Sequence, residues 1–166
     1  MEKNLQNKEA LEKFKKLVEE IRVCMFITNN MEDENTRPMA TVEVSDDNSL
    51  WFYTDIRSIK VEEVSSDASV HLVYAHPGKE SYLDIWGNAT VITDAQAKKD
   101  KWSPFIKAWF PEGVDDPNLA LLKVQPTNVY YWEAESGKMI QFFKMAAAAV
   151  TGKPNLAQGA EGKIQL

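Results

Sequence analysis

Residues 37–74, RPMATVEVSDDNSLWFYTDIRSIKVEEVSSDASVHLVY, decide the fold. Arg37–Val44 and Ser49–Thr54 are apolar, β-prone runs around the polar turn Ser45-Asp46-Asp47-Asn48, the pattern of a hairpin. Ser58–Ser65 reads as a short helix with Ser58 at its N-cap. Ala68–Ala75 reads as the next strand. Tyr53, Thr54, Arg57, Ser58 and Lys60 therefore gather where a strand ends and a helix begins. Free helical N–H groups and the positive end of the helix dipole favour an anion at such a place.

Outward from this core, residues 8–21 carry Leu11, Phe14, Leu17, Val18 and Ile21 on one face, which predicts an amphipathic helix. Arg22–Thr28 reads as a strand and Asn29–Thr36 as a polar turn. Glu80–Thr93 is the longest strand. Leu83, Ile85, Ala89 and Val91 face one way, and Tyr82, Asp84, Trp86, Asn88 and Thr90 the other. Gly87 breaks its apolar face, a mark of a bulge or close backbone approach. A helical region follows from Asp94, with Ser103 capping a second piece that starts at Pro104. Leu121–Gln125, Asn128–Glu133 and Lys138–Lys144 read as closing strands, the last two joined at Ser136-Gly137. Periodicity ends at Met145. The reading is one domain over 1–144 and a partly mobile tail over 145–166, with deletion of residues 146–166 expected to leave the fold intact. About six strands joined by hairpin-like connections, with few short helices, predict a mainly β protein: an antiparallel barrel with peripheral helices.

Bulk properties narrow the function. The 166 residues suit one domain, 44% are apolar, and the net charge is −6, which argues against general nucleic-acid binding. No apolar run approaches the roughly 20 residues of a membrane span, and the charged start of the chain lacks the centre of a signal peptide. The single cysteine, Cys24, has no partner for an internal disulfide, which fits a reducing cytoplasm. It reads as a small buried hydrophobe.

Thr54, Arg57, Ser58 and Lys60 form the main candidate site. One reading is a phosphate cradle of hydroxyls, N–H groups and a point charge. The other is an ordinary strand–helix junction with a capping serine and solvated cations. Arg37 joins the cradle if the hairpin carries its guanidinium to the same anion. His71 reads as a satisfied inner or interface histidine. Asp84, on the mixed face of the long strand, reads as an interfacial hydrogen-bonding residue, with a catalytic role as the alternative. There is no metal motif, no P-loop and no nucleophile–base pair. Of the five tryptophans, Trp109 is the best candidate to stack on a planar ligand, because it precedes a Phe-Pro-Glu-Gly loop.

In RPMATV, LWFYTDIRSIKVEEV, VHLVYAHPGKESYLDIWGNATVI and AWFPEGVDDPNLALLKVQPTNVYYWE, the chain resembles the pyridoxamine 5′-phosphate oxidase-like flavin-binding split barrels, especially the general stress protein 26 branch. The resemblance spans roughly residues 10–144, and the run from Trp109 to Pro117 is its most branch-specific piece. It implies a six-stranded split barrel and a homodimer with FMN, or FAD, between subunits. It places Arg37 and the backbone of Pro38 and Met39 along the flavin, Tyr53 and Thr54 at the ring or ribityl-phosphate, and Ser58 and Lys60 on the phosphate. Tyr82 stands where the oxidases carry a flavin-binding glutamine, and Ile59 where they carry a basic residue. The Arg-x-His substrate motif of the oxidases is missing, so oxidation of pyridoxamine 5′-phosphate is not expected. Two functions follow from the resemblance. One is an FMN-dependent oxidoreductase fed by a nicotinamide donor, with substrate unknown. The other is a non-catalytic flavin carrier or sensor of the stress response. A partner-binding protein that has lost flavin fits poorly with intact Thr54, Ser58 and Lys60.

Overall fold

The structure, a computed structural model, describes residues 5–29, 34–134 and 160–165. In chain order the elements are β1 (Leu5–Gln6), α1 (Asn7–Ile21), β2 (Val23–Asn29), β3 (Glu34–Ala40), β4 (Glu43–Val44), β5 (Leu50–Asp55), α2 (Ile59–Ser66), β6 (Ser69–His76), β7 (Ser81–Ile92), α3 (Ala95–Asp100), β8 (Leu119–Glu133) and β9 (Ala160–Gln165), with 3₁₀ turns at Pro104–Ala108 and Gly113–Asp115. The expected barrel is present. Antiparallel pairing runs β8–β7–β6–β2–β3, and β5 pairs with both β4 and β8. Because β3 runs on into β4, the ring β8–β7–β6–β2–β3/β4–β5 closes on itself and leaves few free edges.

Closure depends on the bend between β3 and β4. The Thr41 N–H donates to the Arg22 carbonyl at 2.9 Å, on the β2 side, and the Val42 N–H donates to the Trp51 carbonyl at 2.7 Å, on β5. The buried hydroxyls of Thr41 and Tyr74 share a hydrogen bond of 2.7 Å. Thus Arg37–Val44 is not one arm of a simple hairpin with Ser49–Thr54. Its first part pairs with β2, Arg37 opposite Phe26, and only Glu43–Val44 pairs with β5. The expected turn over Asn29–Thr36 is correspondingly shorter, since β2 reaches Asn29 and β3 starts at Glu34.

Alternation along β7 is as the sequence suggests, with Leu83, Ile85 and Ala89 buried and Tyr82, Trp86, Asn88 and Thr90 outward. The register shifts between Trp86 and Gly87, opposite Pro126. Pro126 has no N–H to give to the ladder, and a Cβ on Gly87 would stand 2.5 Å from the Gln125 carbonyl oxygen. This bulge lets Leu119–Glu133 continue as a single strand where the sequence suggested two. The first half of β8 pairs with β5 and the second half with β9. Phe14, Leu17 and Val18 of α1 are buried with Phe26, Phe52, Leu72 and Ile85 in the main core, where Phe26 and Phe52 meet edge to face at 5.4 Å. Cys24 is buried there too, which pushes its thiol up to about 12 and keeps it unreactive.

The end of the chain departs from the sequence reading. The strand expected at Lys138–Lys144, the turn at Ser136-Gly137 and residues 145–159 lie outside the described residues. Within the expected tail, however, Ala160–Gln165 pairs antiparallel with β8 and parallel with β1, and Ile164 is 2% exposed in the core. A short apolar–polar alternation too brief to stand out in sequence is enough to add a strand to an open edge of β8. The dispensable tail is therefore corrected. Removing residues 160–166 uncovers that edge, and Ile164→Ala alone should cost roughly 2–5 kcal/mol. Thermal melting checks this; a truncated chain melting with the parent would show that β9 adds nothing.

Candidate functional site

A cleft of about 580 Å³ opens where the β3–β4 bend, the end of β5, the start of α2 and the first 3₁₀ turn meet. That volume is within the range of small-molecule sites. Pro38, Met39, Tyr53, Thr54, Lys60 and Trp109 all line it. These six were expected from the sequence, and the fold brings them together. Phe105, Ile106 and Phe110 complete an apolar wall. Ser103 fixes the 3₁₀ turn that carries them by accepting the Phe105 N–H at 3.4 Å, as its capping position predicts. Trp109 is 67% exposed, so its ring stands at the rim.

Lys60 sits at one end, in the first turn of α2. Burial and the neighbouring Arg37 charge hold its ammonium below the usual lysine range. Lys60 makes no hydrogen bond or ion pair of its own among the described residues. It is a partly desolvated cation without a matching anion, an arrangement associated with ligand sites. Ser58 occupies the N-cap of α2 but makes no capping bond. Its hydroxyl donates to the Asp55 carbonyl at 2.7 Å and lies 3.2 Å from the Thr54 hydroxyl. The first-turn amides of α2 are thus left without a side-chain acceptor. Arg57 does not join the cradle, since its guanidinium is clamped on the Asp55 carboxylate at 2.6 and 3.0 Å.

Arg37 is placed differently from the sequence expectation. The altered pairing of β3 turns its guanidinium behind Lys60, where it donates to Thr28 Oγ1 at 2.7 Å and to the buried carboxylate of Glu63 at 3.1 Å. Glu63 also accepts from Thr28 at 2.5 Å and from Asn35. Burial raises this carboxyl; the donors Thr28 and Asn35 and the charge of Arg37 outweigh it and hold it below its ordinary range. Sequence reading missed Glu63 because a glutamate in KVEEV looks like any solvated helix position; only the register of β2 and β3 beneath α2 identifies it.

Tyr82 is not brought to the cleft. It stands on the outer sheet face between Ala75 and Trp132, three strands from Ala40 at the cleft, roughly 14 Å at the usual strand spacing. Around it Val23, Met25, Trp86, Tyr130 and Trp132 are exposed. His71 stacks on Trp86, with centroids 4.1 Å apart and planes 8° apart, and pairs with Asp84, so the imidazole is satisfied within the chain. Among the described residues there is no metal-binding cluster, and no helix is long and apolar enough to cross a membrane.

Comparison with known proteins agrees with this geometry. The profile of the family described as pyridoxamine 5′-phosphate oxidase like matches residues 9–155. The chain belongs to the pyridoxamine 5′-phosphate oxidase-like family. It is 28% identical over 83 residues to general stress protein 26 of Bacillus subtilis, covering 48% of this chain and 59% of that protein. It is 23% identical over 113 residues to protein bli-3 of Neurospora crassa, covering 63% of this chain and 54% of that protein. The chain thus spans little more than half the length of these curated relatives. Among solved structures, the general stress FMN/FAD binding protein of Xanthomonas citri superposes with a TM-score of 0.68 at 28% identity, over 79% of this chain and 93% of that one. General stress protein 26 of Bacillus anthracis gives 0.64 at 25%, over 73% and 92%. This member of the family therefore shares the split-barrel fold of these solved structures, one of which is named as an FMN/FAD binding protein.

The Glu63 network makes a pH prediction. A carboxyl held low in the folded state contributes stability that is present above its ordinary value of 4.5 and is lost as pH falls through the lower folded value. Glu63→Gln should cost roughly 1–3 kcal/mol at pH 7 by unpairing Arg37, and the gap to the parent should narrow below pH 4.5. Denaturant unfolding at pH 7 and pH 3 measures it. A gap independent of pH would mean that the carboxylate charge is not what Arg37 needs.

Proposed function

We propose that this chain is an FMN-binding flavoprotein of the general stress type, acting as a homodimer and serving as a flavin-dependent oxidoreductase whose substrate is unknown. The observation that carries it is Lys60, a partly buried cation without an ion pair among the described residues, at the end of an apolar-walled cleft of flavin size. The residues fit the cofactor. Lys60, the hydroxyls of Thr54 and Ser58 and the first amides of α2 suit a phosphate; Arg37, fixed behind Lys60, adds positive potential. Met39, Tyr53, Phe105 and Trp109 suit a planar aromatic ring. The flavin supplies the redox chemistry when bound, and the protein supplies binding, orientation and exclusion of water. No side chain of the lining is a convincing acid or base: the Tyr53 hydroxyl is bonded to the Lys101 carbonyl, and Asp55 is committed to Arg57. FAD is the second cofactor to test, since the Xanthomonas citri relative is named for both.

The first experiment is the absorption spectrum of the purified protein and an FMN titration. Lys60→Ala should weaken FMN about ten- to a hundredfold, the equivalent of roughly 1.5–3 kcal/mol for a charge-assisted contact. Riboflavin, without a phosphate, should bind parent and variant alike. Equal loss for both ligands would place Lys60 in folding rather than in the cradle. Bleaching of bound FMN by NADH or NADPH supports the oxidoreductase; a flavin that binds and never turns over supports the carrier or sensor instead.

The homodimer is supported by the outer face that holds Tyr82. Trp86 is 47% exposed and Trp132 41%, beside Met25, Val23 and Tyr130. A contiguous aromatic face of this kind fits a partner rather than solvent. A second copy of the chain is the occupant proposed, and it would carry a Tyr82 to a cleft whose own Tyr82 is remote. Trp86→Glu should turn the dimer into monomers in analytical ultracentrifugation. A parent chain that sediments as a monomer at micromolar concentration would sink the dimer.

A further inference from the structure

The cleft has a second cation that the flavin reading does not use. Arg22 ends α1, lines the cleft beside Ala40, Thr41 and Val42, and is exposed. Its backbone is in the left-handed region at φ 63°, which costs a non-glycine residue about 1 kcal/mol. Its N–H donates to the Val18 carbonyl at 2.7 Å, and its carbonyl receives the Thr41 N–H. Both contacts are made by backbone, so glycine would serve the turn as well. The Arg22 guanidinium itself makes no ion pair or hydrogen bond among the described residues. Two acidic side chains share an adjoining depression with it, Glu19 and Glu43, and Glu43 is already paired with Lys101 at 2.6 Å. The helix dipole favours a cation at the end of α1, and it leaves the guanidinium as a free planar fork at the cleft mouth.

Two strands give its distance from the Lys60 end. The Arg22 carbonyl is bonded at Thr41, four residues along β3 from Arg37, the neighbour of Lys60. Val42 is bonded at Trp51, four residues along β5 from Asp55, which leads into α2. Both routes span about 13 Å at the rise of a strand. The cleft therefore has a cation at each end and apolar walls between.

We propose that Arg22 is the specificity-determining residue for substrate. It takes the carboxylate or phosphate of a small planar substrate that shares the cleft with a cofactor anchored at Lys60. The inference rests on the flavin reading for the identity of that cofactor, but not for the anion site. A guanidinium engages two oxygens of either anion at once, which a lysine cannot do.

The probes are benzoate and phenyl phosphate, titrated into the FMN-saturated full chain and followed by the flavin absorption band. Arg22→Gln should weaken both probes about tenfold or more while FMN affinity stays within about twofold. Arg22→Lys should recover part of the loss, and Arg22→Gly should lose the probes yet melt no lower than the parent. The stronger of the two probes identifies the anion. Failure of the parent to bind either probe, equal binding by Arg22→Gln, or loss of FMN by Arg22→Gln comparable to that of Lys60→Ala would overturn the proposal. If the parent binds no FMN, the flavin reading fails by itself. The same titration, followed by tryptophan fluorescence in the flavin-free chain carrying Lys60→Ala, then decides Arg22 through its response to Arg22→Gln.

Discussion

The barrel and its cleft both depend on the change of partner at Thr41–Val42. One continuous stretch of backbone must satisfy β2 on one side and β5 on the other, and its polar groups have to remain paired while it turns. Two hydrogen bonds in succession, Thr41 to Arg22 and Val42 to Trp51, carry the ladder across the bend. The Thr41–Tyr74 hydroxyl pair fixes it from inside. An unpaired buried amide there would cost about as much as a lost hydrogen bond, so the bend has little freedom. Bending β3 away from β5 also opens the space between them. The cleft is the gap that closure of the ring creates, which is why its lining comes from β3, the bend and β5 together.

Electrostatics at the closed end follow from the same register. β2 and β3 pass beneath α2 and place Thr28, Asn35 and Arg37 around Glu63. The buried carboxylate is tolerated because its oxygens are occupied by donors, one of them charged. In holding Arg37, Glu63 keeps a second positive charge next to Lys60 without letting it fill the cleft. Lys60 is left as a partly desolvated cation whose repulsion from Arg37 an incoming dianion would relieve. A surface lysine in a solvated pair would gain far less from the same ligand.

Much of this was legible in the sequence because it rests on local signals. The alternation of Tyr82 to Thr90, the capping of Pro104–Ala108 by Ser103 and the gathering of Tyr53, Thr54 and Lys60 at a strand–helix junction each depend on neighbours within a few residues. What was not legible depends on pairing across long separations. Nothing near Arg37 says that β3 takes β2 as its partner before β4 takes β5, and so the guanidinium was expected at the anion rather than on Glu63. Nothing near Ile164 says that a free edge of β8 awaits it. Gly87 was legible as a bulge, whereas its partner Pro126, which lies in the gap between the two expected strands, is what the bulge accommodates.

The cleft and the outer aromatic face cannot be treated as independent features, because β3 contributes to both. Met39 is buried toward the core side of the cleft, while Pro38 and Ala40 on either side of it are exposed. Pro38 lies opposite Met25, and Ala40 opposite Val23, two residues of the exposed apolar face. Period-two alternation thus puts the rim of the cleft and the margin of that face on the same residues. Pro38 donates no N–H, so this part of β3 offers no extra ladder bond to a neighbouring strand, and contact there must be made by side chains and shape. A surface that covered Met25 and Val23 would therefore lie beside the rim of the cleft, because both margins draw on one stretch of seven residues, Glu34–Ala40.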